Sequence, residues 1–241
     1  MRDLTFGAAL LALSVPVMAA GEETTQVYFS NGQLEYAGPI NQKANQQLFA
    51  LYDGLAAKPA VLSIRSPGGE VNAGMDLGGW VRAHKLDVRV MEFCLSSCAN
   101  YVFPAGIKKI VSNFAMIGYH GGPGNAAKLT LDENAQKIYD ALPAEEQKAF
   151  MAQIAGISSQ GGKREAQYFE QLGVRADISS LGQNERYDQF VKANPNAAGW
   201  TYSLEDFARL GVRDISVINP PWKPGSAARA MVFLMMPVDS K

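Results

Sequence analysis

The chain has 241 residues, a formal net charge of −1 and 47% hydrophobic residues, enough to bury a full core within one domain. No long basic run is present, so the electrostatic footprint of a nucleic-acid binder is missing. Two cysteines and two histidines without recognised ligand spacing give no metal site.

Arg2 supplies a positive start, Leu4 to Val17 is almost entirely apolar, and Val17-Met18-Ala19-Ala20 offers small residues for cleavage. This pattern predicts a secretory signal peptide over residues 1–20 and leaves 21–241 as a single domain. The apolar run is shorter than the ~20 residues of a membrane span, and no later stretch reaches that length. A periplasmic or secreted protein without a transmembrane span is therefore expected. Cys94 and Cys98 then meet an oxidising compartment. Four residues apart, they either pair across a turn or remain two small buried thiols. A bridge would hold the turn carrying Ser96 and Ser97.

After residue 20, Gln26–Ser30 and Gln33–Tyr36 flank Asn31-Gly32, a hairpin signal. Ala44, Leu48, Leu51 and Leu55 predict a helix over residues 41–57, ended by Pro59. Residues 60–64 read as a buried strand broken by Ser66-Pro67-Gly68-Gly69. A helix over 70–84, one strand over 86–93, a short helix over 98–105 and strands at 108–111 and 115–119 follow. Alternating strands and helices predict an α/β fold with parallel pairing through right-handed crossovers.

Beyond His120, Gly121 to Leu131 reads as a loop and the composition turns helical. Helices are predicted over 131–142, 144–154 and 164–172, with a loop at 156–162 and a short helix at 187–192. Ser203-Leu204-Glu205-Asp206 has capping-box spacing and opens a helix to Leu210, stopped by Gly211. Residues 214–218 are expected as the final strand. The apolar tail 227–238 has no assignable packing.

Three elements carry the chemistry. Glycines in Pro67-Gly68-Gly69 allow a sharp turn that exposes N–H groups able to hold an oxyanion, although a plain turn fits equally. Ser96-Ser97 precedes a helix, where a serine is either an N-cap or a nucleophile. His120 is either structural or a general base. His84, beside Arg82 and Lys85, reads as surface.

Taken together, the order is Gly69, then Ser97 28 residues on, then His120 23 residues further. This resembles the Clp protease proteolytic subunit and the wider Clp/crotonase superfamily, most closely exported Clp-protease-like proteins with a Cys-X-Ser-X-Cys element. The likeness rests on Ser66-Pro67-Gly68-Gly69, on Ser97 through Ala105-Gly106, and on Ala115 through His120, covering about residues 33–122. It implies a spiral of repeated ββα units with a helical C-terminal half. It also implies a serine peptidase in which Ser97 attacks, His120 takes the proton, and Gly68, Gly69 and Cys98 supply oxyanion donors. Ser96 is the alternative nucleophile; the distance from Ser97 to Gly106 favours Ser97.

Gly211-Val212-Arg213-Asp214 matches the family's final segment, but the counted place of the acid falls near Gly199. Asn196 is the nearby residue able to orient His120; Asp188 is the nearest preceding acid, and a Ser-His dyad is a further option. By analogy with the signal peptide peptidases of the superfamily, Lys108 and Lys109 are candidate bases. The resemblance further implies a peptide or protein substrate, a homo-oligomer, no cofactor and no ATPase partner. The rival reading is a catalytically inactive binding or scaffold protein of the cell envelope with the same fold. A coenzyme A enzyme is disfavoured by export.

Overall fold

The computed structural model describes residues 24–123, 133–225 and 232–238. The expected signal peptide, most of the loop after His120 and the start of the apolar tail lie outside the described residues. The N-terminal hairpin forms as expected: β1 (Gln26–Ser30) pairs antiparallel with β2 (Gln33–Ala37). Asn31 and Gly32 both take positive φ, 50° and 75°, the turn whose twist matches that of the strands.

From β2 onward the chain builds a parallel sheet. Helix α1 (Gln42–Gly54) starts where the Asn41 side chain accepts from the Ala44 N–H at 2.9 Å. It buries Ala44, Leu48 and Tyr52 and leads to β3 (Val61–Arg65). Helix α2 (Val71–Ala83) then crosses to β4 (Asp87–Val90), which lies parallel to β3. Strands β6 (Lys109–Ser112) and β9 (Ile215–Ile218) complete a six-stranded sheet in the order β1-β2-β3-β4-β6-β9, parallel throughout except at β1. Leu34, Leu62, Val88, Val90 and Val111 are buried in it, as a parallel sheet covered by helices requires. The protein is a mixed α/β fold.

The single strand expected over 86–93 is instead two. The chain bends at the exposed Met91 and Glu92 and continues as β5 (Phe93–Leu95). The same happens after β6, where a bend leads to β7 (Met116–Gly118). β5 and β7 pair with each other in a second, smaller sheet, and an isolated bridge joins Ser66, just past β3, to Cys94. Thus three neighbouring strands of the large sheet each turn a corner in register. The three corners bring the residues after β3, β5 and β7 together: the Ser66–Gly69 turn, Ser96 and His120.

After β5 the chain makes a π-helical turn, Cys98–Val102, and a short helix α3, Phe103–Ala105. Helix α4 (Glu133–Ala141) precedes α5 (Ala144–Leu172). The loop expected at 156–162 does not exist; α5 runs through it for 29 residues. Each helical glycine costs about 1 kcal/mol relative to alanine, but packing outweighs propensity here. Phe169 and Tyr168 are buried against Tyr101, and Arg164 meets Asn72 and Asp76 of α2. Gly161 also lets Pro123 lie close: a Cβ there would come 3.3 Å from Pro123.

The short helix near 187–192 is α6 (Asp188–Lys192). Strand β8 (Ala197–Thr201), which local pattern did not reveal, follows. Helix α7 (Leu204–Arg209) is capped by Ser203, whose hydroxyl accepts from the Asp206 N–H at 3.0 Å. β9 is not the final strand. Val232–Met235 of the apolar tail forms β10 and pairs parallel with β8. Among the described residues no helix is long and apolar enough to cross a membrane.

Candidate active site

The Ser96 turn is fixed from several sides. Cys94 and Cys98 are disulfide-bonded, with Cα atoms 5.2 Å apart, and both are fully buried. The bridge closes a five-residue segment with Ser96 at its centre. Ser96 has φ 53°, the left-handed region that a non-glycine residue enters only when its surroundings impose it. Its N–H donates to the Gly118 carbonyl at 2.8 Å and its carbonyl accepts from the Asn100 N–H at 2.8 Å. These bonds hold the residue between β7 and the start of the π-helical turn.

His120 Nε2 lies 2.7 Å from the Ser96 hydroxyl. The expected partner, Ser97, is not the one paired. Its side chain is buried and donates to the Gly69 carbonyl at 2.8 Å. The reason is the bend: positive φ at Ser96 turns that hydroxyl toward His120, and the next side chain faces the glycine turn. The distance to Gly106, which favoured Ser97, does not register this reversal. The signal that marks Ser96 in the sequence is its midpoint position between Cys94 and Cys98. Ser96 is also only half-buried, as a group that must meet a substrate has to be.

The glycine turn packs directly beneath. Gly68 has φ +99°, and a Cβ there would fall 2.5 Å from the Ser96 Cβ and 2.9 Å from the Ser97 nitrogen. Of the three expected oxyanion donors, Gly68 is excluded, because its N–H donates to the Ser66 hydroxyl at 3.1 Å. Gly69 differs. The Gly68 carbonyl accepts from Ile40 at 2.7 Å, so in a trans peptide the Gly69 N–H points away from Ile40. Among the described residues that N–H meets no acceptor. The N–H groups of Ser97 and Cys98 open the helical turn and have no intrahelical acceptor. With Ser96 as the reacting residue, the adjacent Ser97 N–H joins the set of candidate donors.

The structure does not bring Asn196 to His120. Asn196 is exposed in the turn before β8 and makes no bond to the imidazole. Among the described residues no carboxylate bonds His120. Position 199, where counting places the acid, cannot bear a side chain: a Cβ on Gly199 would lie 1.9 Å from the Tyr119 carbonyl oxygen. That close approach comes from pairing, since Tyr119 and Trp200 exchange backbone hydrogen bonds at 2.8 Å. Lys108 is exposed. Lys109 is buried in β6, where desolvation lowers its pKa and Asp214 partly counters this. Neither lysine touches Ser96 or Ser97. His84 is half-buried rather than free at the surface: its Nδ1 sits 2.9 Å from the Trp80 carbonyl, and its ring packs on Trp80 and Tyr52.

His120 also lines a cavity of about 470 Å³ that sequence reading missed. Its walls come from distant segments: Gly182 and Gln183, α6, Ala197 to Trp200, and Leu234 with Met236. Such a volume suits a small-molecule or side-chain site. Among the described residues the buried Tyr119 hydroxyl meets no hydrogen-bond partner, and burial raises its pKa well above the usual value. Among the described residues no three His, Cys, Asp or Glu side chains cluster in a way that would hold a metal ion.

The arrangement has the parts of an acyl-transfer site: a hydroxyl on a base, beside unengaged backbone donors. No family model matches the chain, and no curated protein is significantly similar to it.

Proposed function

We propose that the chain is an exported serine hydrolase, a peptidase of the Clp/crotonase kind, with Ser96 as nucleophile and His120 as base. The observation that carries this reading is the 2.7 Å contact between His120 Nε2 and the hydroxyl of a conformationally constrained serine. An imidazole that accepts at Nε2 carries its proton on Nδ1. As the Ser96 oxygen attacks a substrate carbonyl carbon, its proton passes to Nε2. The imidazolium then returns that proton to the leaving amine, and water hydrolyses the acyl-enzyme by the same steps in reverse order. The Gly69 and Ser97 N–H groups receive the carbonyl oxygen as it gains charge. One such donor is worth about 10²–10³ in rate.

The strand, bend, strand sequence repeated at β4–β5 and β6–β7 supports the superfamily's spiral of ββα units, and with it self-association as a homo-oligomer. The disulfide beside the nucleophile supports an oxidising compartment. No cofactor or ATPase partner enters the scheme.

A fluorophosphonate probe on oxidised protein tests the assignment. Wild type and Ser97→Ala are expected to label at Ser96, Ser97→Ala more slowly by about tenfold through the loosened Gly69 peptide; Ser96→Ala is expected not to label. Equal labelling of Ser96→Ala, or none of the wild type, overturns it. The absence of a carboxylate on His120 favours one second reading, a non-catalytic binding or scaffold protein, in which Ser96→Ala keeps full biological activity.

A further inference from the structure

A base works best when its second ring nitrogen is held by a third group, which orients the ring and stabilises the imidazolium. Among the described residues His120 has no such bond, and Gly199 bars a side chain at the neighbouring strand position. The cavity shared by His120 supplies another route. Among the described residues that line it, Asp188 is the only acid and Lys192 the only other charged group, both on α6. Ala197, Ala198 and Gly199 leave the space between α6 and His120 open. A cavity of about 470 Å³ has room for several ordered waters, and the polar atoms of His120, Gln183, Asp188 and Lys192 can anchor them.

We propose that Asp188 is a positioning residue for His120, acting across this cavity through water rather than by a direct bond. The inference rests on the hydrolase reading for its purpose, but not for its test. When Nε2 takes the Ser96 proton, the Nδ1–H donates to a bridging water, which donates to the Asp188 carboxylate. No proton is transferred to Asp188; it stabilises the cation by charge. Lys192 opposes it. A further acid near this segment among the described residues is Glu165 of α5, which packs against Gly122 and accepts from the Tyr101 hydroxyl at 2.8 Å.

The chain has only two histidines, so NMR titration of both imidazoles reads the effect directly. His84 serves as the internal control. Asp188→Asn is expected to lower the His120 midpoint by about half a pH unit, and Lys192→Met to raise it by a similar amount, with His84 unmoved. In turnover, Asp188→Asn should lower kcat about tenfold with KM little changed, move the acid limb of kcat/KM to lower pH, and be rescued by Asp188→Glu. A purely structural role would not give opposite shifts for the two variants. The proposal is overturned if His120 moves no more than His84 in Asp188→Asn, or if Glu165→Gln moves it and Asp188→Asn does not. Should the midpoint shift while the fluorophosphonate probe fails, the electrostatic link stands and the hydrolase reading falls. Should the probe label and the midpoint stay, the reverse holds.

Discussion

His120 stands between two unlike regions. Toward Ser96 everything is over-determined: a disulfide, a left-handed serine, a glycine turn without room for a methyl group, and strand corners tied by backbone hydrogen bonds. Toward the cavity the walls are mostly small or apolar residues, with Gln183, Asp188 and Lys192 among them, drawn from four separate segments, and space is left unfilled. The first region comes from one stretch, residues 66–122; the second is assembled from 182–200 and 234–236. The contrast teaches where this protein is rigid by construction and where it can vary: the Ser96–His120 pair is fixed, and its surroundings are open.

That contrast can be broken by substitution. Gly68→Ala should have the largest effect, because it combines positive φ with a Cβ 2.5 Å from that of Ser96. A loss of about 3 kcal/mol in stability is expected, and about 10² in probe labelling as Ser96 is displaced. Urea melts and labelling rates measure both; a variant as stable and reactive as wild type would show that the turn is loose. Replacing both cysteines by serine comes next. The short loop predicts about 2 kcal/mol in the chain-entropy description, with labelling reduced more than stability alone explains, since Ser96 loses its constraint. Undiminished labelling at a temperature where the variant is folded would mean the bridge is only a staple. Ala198→Val, on the open side, should be the mildest. Ala198 is exposed and its neighbours leave space, so stability should change by no more than about 0.5 kcal/mol. A larger loss would mean that the cavity is smaller in solution.

The same division governs what could be read from the sequence. The hairpin at Asn31-Gly32, the Asn41 and Ser203 caps, and the strand and helix order through His120 were legible because each rests on local chemistry within a few residues. The corner at Met91-Glu92 was not, since an alternating pattern continues across a bend without marking it, whereas the break after Ser112 was read as two separate strands. Nor was β10, whose partner lies more than 30 residues away and whose pairing no local rule encodes. The glycines at 156–162 looked like a loop because propensity cannot weigh the packing of Tyr168 and Phe169. At the site, the histidine and the glycine turn were found from order and spacing. The favoured serine lies one residue from the one that contacts His120, because counting along a helix assumes the helix begins before the residue counted. The cavity was invisible, because its lining is gathered from segments far apart in the sequence that share no motif.

The pairing of β8 with β10 has one more bearing, on assembly. Ser96 and His120 both lie in the first half of the chain, but the wall behind the imidazole is completed by Leu234 and Met236, more than a hundred positions later. During synthesis the pair would therefore be present before its shelter is, and the cavity would be complete only when the tail docks. A chain clipped before Val232 would keep both side chains and lose that wall.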